Sequence, residues 1–174
     1  MLEAFSRNRV LTLLVVLVLA SLAAGAFAPG YLSLATASVV LSNSLVLALI
    51  SLGTMVVIIT RNIDVSSGSG LGLSAAVLGL TLNAGASLPL AIALCIATGI
   101  AAGAVNGVLV AYLGIPSIVA TLGTLGFYRG LMLAMTGGRW IEDLPQGLKA
   151  LAANATFGIS VLTLIVFAVL VLIW

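Results

Sequence analysis

Histidine is absent from the 174 residues, and only six basic and four acidic side chains occur. Without His the commonest general base and metal ligand is missing, which removes most hydrolase and metalloenzyme readings. Charged residues make up 6% of the chain, against about 25% in a soluble domain. So few charges cannot cover a water-facing surface. One cysteine, Cys95, sits inside an apolar run. No disulfide can form within the chain, and the cysteine leaves the compartment unread. A net charge of +2 is too small to argue for nucleic acid. Nothing calls for a metal or a cofactor.

What is present is apolar. Hydrophobic residues are 63% of the chain, and the mean hydropathy is +1.38. Runs of about 20 such residues span the hydrocarbon of a bilayer as helices. The expected fold is therefore an all-α integral membrane protein, polytopic, with about six spans in one transmembrane domain over residues 1–174. The spans fall near residues 10–28, 40–60, 66–82, 90–112, 117–135 and 157–174. The first follows Arg7 and Arg9 and carries a signal-like Ala26-Phe27-Ala28. Its apolar stretch exceeds the usual 7–15 residues, and Pro29 would follow the cut, so it reads as an uncleaved helix. The last span runs to Trp174 without a polar tail, as a fragment or shortened gene would. Arg7, Arg9 and Arg61 on one side, against Arg139 and Lys149 on the other, favour an N-terminus inside.

Small residues mark packing faces. Gly99, Gly103 and Gly107 lie four apart, with Ala102 and Asn106 beside them, and form a row that lets helix backbones approach in lipid; Asn106 either bonds across this seam, the reading preferred here, or faces a cavity. Gly123, Gly126 and Gly130 share one face of the fifth span. Thr121, Thr124 and Tyr128 share another, roughly 200° away. The glycine face is expected to pack and the hydroxyl face to be offered to a solute. Arg129 lies about 100° from each. It either snorkels or forms a structural ion pair, or else it serves the pathway.

Residues 60–69 read "TRNIDVSSGS". Asp64 stands just before the third span, where it can cap the free N–H groups of a helix start. The same stretch can instead open a broken or half-depth helix, with Asp64, Ser66 and Ser69 facing a polar solute. The two roles are compatible. "SGSGLGLS" at 67–74 imitates a phosphate loop but lacks the Lys and the spacing. A Ser protease reading fails for want of His. Between the fifth and sixth spans, residues 136–156 carry Arg139, Trp140, Glu142, Asp143 and Lys149. Pro145 suits the first turn of a short helix there, and Leu144, Leu148 and Leu151 form its apolar stripe.

"TRNIDVSSGS", "GIPSIVATLGTLGFYRGL" at 114–131 and "TGGRWIEDLP" at 136–145 together resemble the ribose-type permeases, the membrane subunits of bacterial ABC sugar importers. With "NGVLVAYLGIPSIVATLGTLGFYRG", the resemblance narrows to the branch that imports autoinducer-2. It covers essentially the whole chain but about the N-terminal half of a family member. Ser67 departs from it, since Val is usual before Gly68. The resemblance implies a multi-pass subunit of the bacterial inner membrane that hydrolyses nothing itself. It pairs with a sister permease, receives its solute from a periplasmic binding protein, and is driven by two copies of a cytoplasmic ATP-binding subunit. The loop that couples to the ATPase is expected outside these residues. It also allows the polar side of the 142–149 segment to help dock the binding protein. Rhamnose, ribose or a related sugar is the alternative solute, and a non-transporting remnant is the alternative to transport.

Overall fold

The computed structural model describes residues 9–152, 154–155 and 159–160. They are helical, apart from loops and a two-residue antiparallel ladder that pairs Asn154–Ala155 with Ile159–Ser160. The helices are α1 (Arg9–Phe27), α2 (Leu34–Ile59), α3 (Ser67–Asn83), α4 (Leu88–Gly107), α5 (Ser117–Thr136) and the short α6 (Gln146–Ala152). Lipid offers the backbone no hydrogen bonds, so each apolar run closes its own bonds as a helix. Among the described residues, four segments are long and apolar enough to cross a membrane: Val10–Phe27, Leu34–Ile59, Leu88–Tyr112 and Ser117–Thr136. The third expected span is a helix as well, but of 17 residues. The sixth, at 157–174, lies outside the described residues except for Ile159–Ser160.

The chain divides into two compact units, residues 1–45 and 46–174. In the first, α1 ends in the turn at residues 28–33, and Ser33 then caps α2. Its Oγ accepts the Thr36 N–H at 3.2 Å, as a Ser at an N-cap does.

In the second unit α3 packs against both α4 and α5. Its core is small: Leu73 of α3, Ala102 of α4 and Tyr128 of α5, with Met132 against them. The outward-facing residues are mostly large and apolar, such as Leu90, Ile96, Ile100, Leu122 and Phe127. Among the buried side chains are Ser66, Ser74, Thr121 and Thr124. Apolar outside with hydroxyls inside reverses the pattern of a water-soluble domain and suits lipid.

The helix ends show why the chain turns where it does. α2 closes with the Arg61 N–H on the Ile58 carbonyl at 2.8 Å and the Asn62 N–H on the Val57 carbonyl at 3.2 Å. This double bond requires a left-handed residue after the helix, and here Arg61 takes that place at φ 61°. α5 ends on Gly137 at φ 62°, the residue type that adopts this conformation without steric cost. α4 does not stop at Gly107 but widens into a π turn, Val108–Tyr112, with the Leu113 N–H on the Val108 carbonyl at 3.1 Å. Gly114 and Pro116 then break the chain ahead of α5. Pro145 precedes α6 rather than opening it, and its carbonyl accepts the Leu148 N–H at 3.0 Å.

Candidate functional site

The stretch between α2 and α3 is held by side chains rather than by regular structure. The Ser117 Oγ, at the start of α5, accepts the Ile63 N–H at 3.1 Å. One turn on, Thr121 Oγ1 accepts the Val65 N–H at 3.3 Å. α5 thus pins residues 63–65 along its first turn, and Asp64 is fixed between the two pins.

Asp64 organises the start of α3. Its Oδ1 accepts the Ser66 N–H at 2.8 Å and the Ser66 hydroxyl at 2.7 Å. Its Oδ2 accepts the Ser67 hydroxyl at 3.0 Å. These partners are neutral donors, and a carboxylate so bonded stabilises a helix start through both hydrogen bonds and the helix dipole. Asp64 therefore caps a single backbone N–H, that of Ser66; Ser66 holds the N-cap position and makes no side-chain cap bond itself.

From Ser66 the bonding runs sideways through the unit. Asn106 Nδ2 on α4 donates to Ser66 Oγ at 2.7 Å. Asn106 Oδ1 accepts from Thr124 Oγ1 on α5, also at 2.7 Å. Asp64, Ser66, Asn106 and Thr124 form one continuous polar chain across three helices. One turn further along α5, Tyr128 donates to the Ala102 carbonyl at 2.8 Å. Ser66 is 2% exposed, Thr121 3%, Thr124 7% and Tyr128 3%. Groups buried this deeply need partners, and among the described residues no buried side-chain N or O lacks one.

Two open cavities meet at this chain. One, of about 360 Å³, is lined by Asp64, Ser66, Ser67, Ser74, Asn106 and Tyr128, together with residues of α2 that include Thr54. The other, of about 290 Å³, is lined by Thr60, Asn62, Asp64, Asn106, Ser117 and Thr121, among others. Asp64, Gly103 and Asn106 belong to both. Carboxylate, amide and hydroxyl groups face the same space, so the lining can both donate to and accept from a solute rich in hydroxyls.

Of the residues singled out from the sequence, the structure brings Asp64, Ser66, Thr121, Thr124 and Tyr128 together. It does not bring in Ser69, whose hydroxyl turns back to the Ser66 carbonyl at 2.8 Å. Nor does it bring in Arg129, which is exposed and lines a different cavity. The glycine row of α4 makes little contact: a Cβ on Gly99 would meet Ser74 Oγ at 3.5 Å, and Gly103 and Gly107 have nothing within 4 Å. On α5 the packing is the reverse of the sequence expectation. Gly123, Gly126 and Gly130 are exposed with nothing near them among the described residues, and the Thr121–Thr124–Tyr128 face is buried. The hydroxyl face turns inward to satisfy its hydrogen bonds, finding partners on α4 and on residues 63–65. Sequence reasoning offered Asn106 a bond across the seam or a place at a cavity; it has both, bonding to Ser66 and Thr124 and lining two cavities. A lone carboxamide in an apolar run was the available signal, because an amide in lipid must bond to something.

Helices that expose apolar side chains, with a polar chain buried among them and cavities opening onto that chain, mark a polytopic membrane protein. Residues 36–174 match the family described as "Branched-chain amino acid transport system / permease component", and the chain belongs to that family. It is 49% identical over 160 residues to the "Autoinducer 2 import system permease protein LsrC" of Salmonella typhi, covering 92% of this chain and 46% of the relative. To the protein of the same name from Escherichia coli O9:H4 (strain HS) it is 48% identical over 160 residues, covering 92% and 47%. The chain spans about half the length of the curated relatives it matches. No solved structure gives a significant match.

Proposed function

We propose that the chain supplies membrane-spanning helices to an ABC importer permease subunit that carries autoinducer-2 across the bacterial inner membrane. Its N-terminus lies inside. It works with a sister permease, a periplasmic solute-binding protein and two copies of a cytoplasmic ATPase, and does no ATP chemistry itself. The observation that carries this reading is 49% identity, over nearly the whole chain, to proteins named for autoinducer 2 import. The site supports it in kind. A small polyhydroxylated solute needs donors and acceptors, and Asp64 and Asn106, which line both cavities, carry them, while Ser66 and Thr121 are bonded within the chain. The three-helix polar chain would hold the walls of that path in register as the subunit changes conformation.

The test is uptake of labelled autoinducer-2 by cells carrying the complete import operon, with the full-length gene present or deleted, and with ribose or rhamnose added in excess. Loss of uptake on deletion and indifference to the two sugars is the expected result. Unchanged uptake on deletion rejects the reading. Suppression by ribose or rhamnose moves the assignment to a sugar permease, since the same hydroxyl-binding groups would serve either solute.

A further inference from the structure

A third cavity, of about 650 Å³, lies between α3, α5 and the segment after α5, away from the polar chain. α3 turns a stripe of small residues toward it: Gly72, Ala75, Ala76 and Gly79, at i, i+3, i+4 and i+7. The walls touch at two places. A Cβ on Gly72 would come within 3.1 Å of Met132 Sδ, and one on Gly79 within 2.8 Å of the Ile141 side chain. These contacts are seven residues apart, about 10 Å along the helix. They hold the walls at their present spacing and leave the space between them open. Asn83 fastens the outer wall, donating from Nδ2 to the Glu142 carbonyl at 3.1 Å. Its size falls within the range of ligand sites, about 300–1,000 Å³.

The lining is apolar, closed by Leu133, Leu144 and Leu148, but two guanidinium groups border it, Arg129 and Arg139. Neither has a side-chain hydrogen bond or ion-pair partner among the described residues. Trp140 stands beside them, 92% exposed, and a Trp so placed suits the headgroup level of a bilayer. Two cations without counter-ions among the described residues, beside a greasy groove, call for a ligand with both an anionic head and an apolar body. A free phosphate would leave the apolar lining empty. A plain hydrophobic helix would leave the two Arg charges unpaired, at a cost in lipid.

We propose that this groove binds an anionic phospholipid, with its phosphate at Arg129 and Arg139 and an acyl chain along the α3 stripe. The site is separate from the solute path, so it holds or fails whatever the solute is.

Trp140 supplies the probe. The chain has two tryptophans, so Trp174→Phe leaves Trp140 alone. This variant is placed in phosphatidylcholine vesicles, and a fixed mole fraction of chain-labelled, fluorescence-quenching phosphatidylglycerol or phosphatidylcholine is added. The labelled phosphatidylglycerol is expected to associate at Trp140 at least about fivefold more strongly, given about 1 kcal/mol per basic residue near anionic lipid. Arg129→Gln with Arg139→Gln should bring the ratio close to one, and Arg→Lys at both positions should retain part of it. Ala75→Phe, which fills the groove from an exposed position, should lower quenching by both lipids. Circular dichroism checks that each variant keeps its helices. A ratio near one in the parent overturns the proposal, as another chain segment covering the groove would produce. So does a preference that survives the double Gln change, or quenching that Ala75→Phe leaves undiminished, since that reports surface attraction alone.

Discussion

Asn106 and Thr124 are joined by a 2.7 Å hydrogen bond from the threonine hydroxyl to the amide oxygen, and the same amide reaches back to Ser66 at 2.7 Å. One side chain thus ties α4 to α5 and to the start of α3. Asn106→Ala removes both bonds and leaves the buried Ser66 and Thr124 hydroxyls to find new partners. The expected loss is about 1–2 kcal/mol, from about 0.6 kcal/mol for an average bond between helices in a bilayer and up to about 1.7 for the strongest. Unfolding from mixed micelles by a denaturing detergent measures it. A double-mutant cycle with Thr124→Val isolates the pair, and a coupling indistinguishable from zero would show the bond to be idle.

Asp64 accepts three bonds from neutral donors, which makes its acceptor atoms more important than its charge. Asp64→Asn keeps Oδ1 for Ser66, and the Ser67 hydroxyl has only to reverse and accept. In the full-length gene we expect uptake within about fivefold of the parent, the equivalent of about 1 kcal/mol of lost bonding. Asp64→Ala, which keeps neither oxygen, should lose far more. If Asn abolishes uptake at normal membrane levels, the charge itself serves the path and the capping account is insufficient.

Arg61 occupies a left-handed position that glycine fills with less strain. Arg61→Gly should raise resistance to detergent unfolding by about 1 kcal/mol, whereas Arg61→Ala, which keeps a Cβ, should not. Equal stability of the two variants would show that the Arg61 backbone is unstrained.

Topology is open to direct labelling. In a Cys95→Ser background, cysteines placed at Ser6 and Ile63 should resist an impermeant thiol reagent applied outside, and one at Gln146 should react. Reaction at Ile63 with none at Gln146 would invert the proposed orientation.

How far the sequence was legible depended on what each residue needs. Long apolar runs bounded by Pro29, Gly85 and Pro116 placed most ends of the described helices within a few residues, although α2 begins at Leu34, six residues before the expected 40, because lipid forces a charge-free run of that length into a helix. Asp64 was legible as a residue that either caps a serine-rich helix start or faces a solute there, because a carboxylate in that place can accept from the N–H and hydroxyl groups around it. The α5 faces were misassigned because periodicity groups residues by direction and does not say which direction is inward. Thr121, Thr124 and Tyr128 turn inward because Asn106, the Ala102 carbonyl and residues 63–65 await them, and those partners lie far off in the chain. The π turn after Gly107 left no mark in composition. The apolar stripe of residues 144–151 was visible, but the cavity that Leu144 and Leu148 help to close also needs Gly72 and Gly79, some seventy residues earlier.

The length of α3 has a consequence for the bilayer itself. At 1.5 Å per residue its 17 residues reach about 26 Å, short of the roughly 30 Å of a typical hydrocarbon core. Either the lipid thins around it or one end lies beneath the surface, each at a modest cost per ångström of mismatch. The end that carries Asp64 and Ser66 is the one equipped to sit low, with its helix start capped and its hydroxyls bonded. A dimple in the membrane at that point would shorten the distance a polar solute must travel without water.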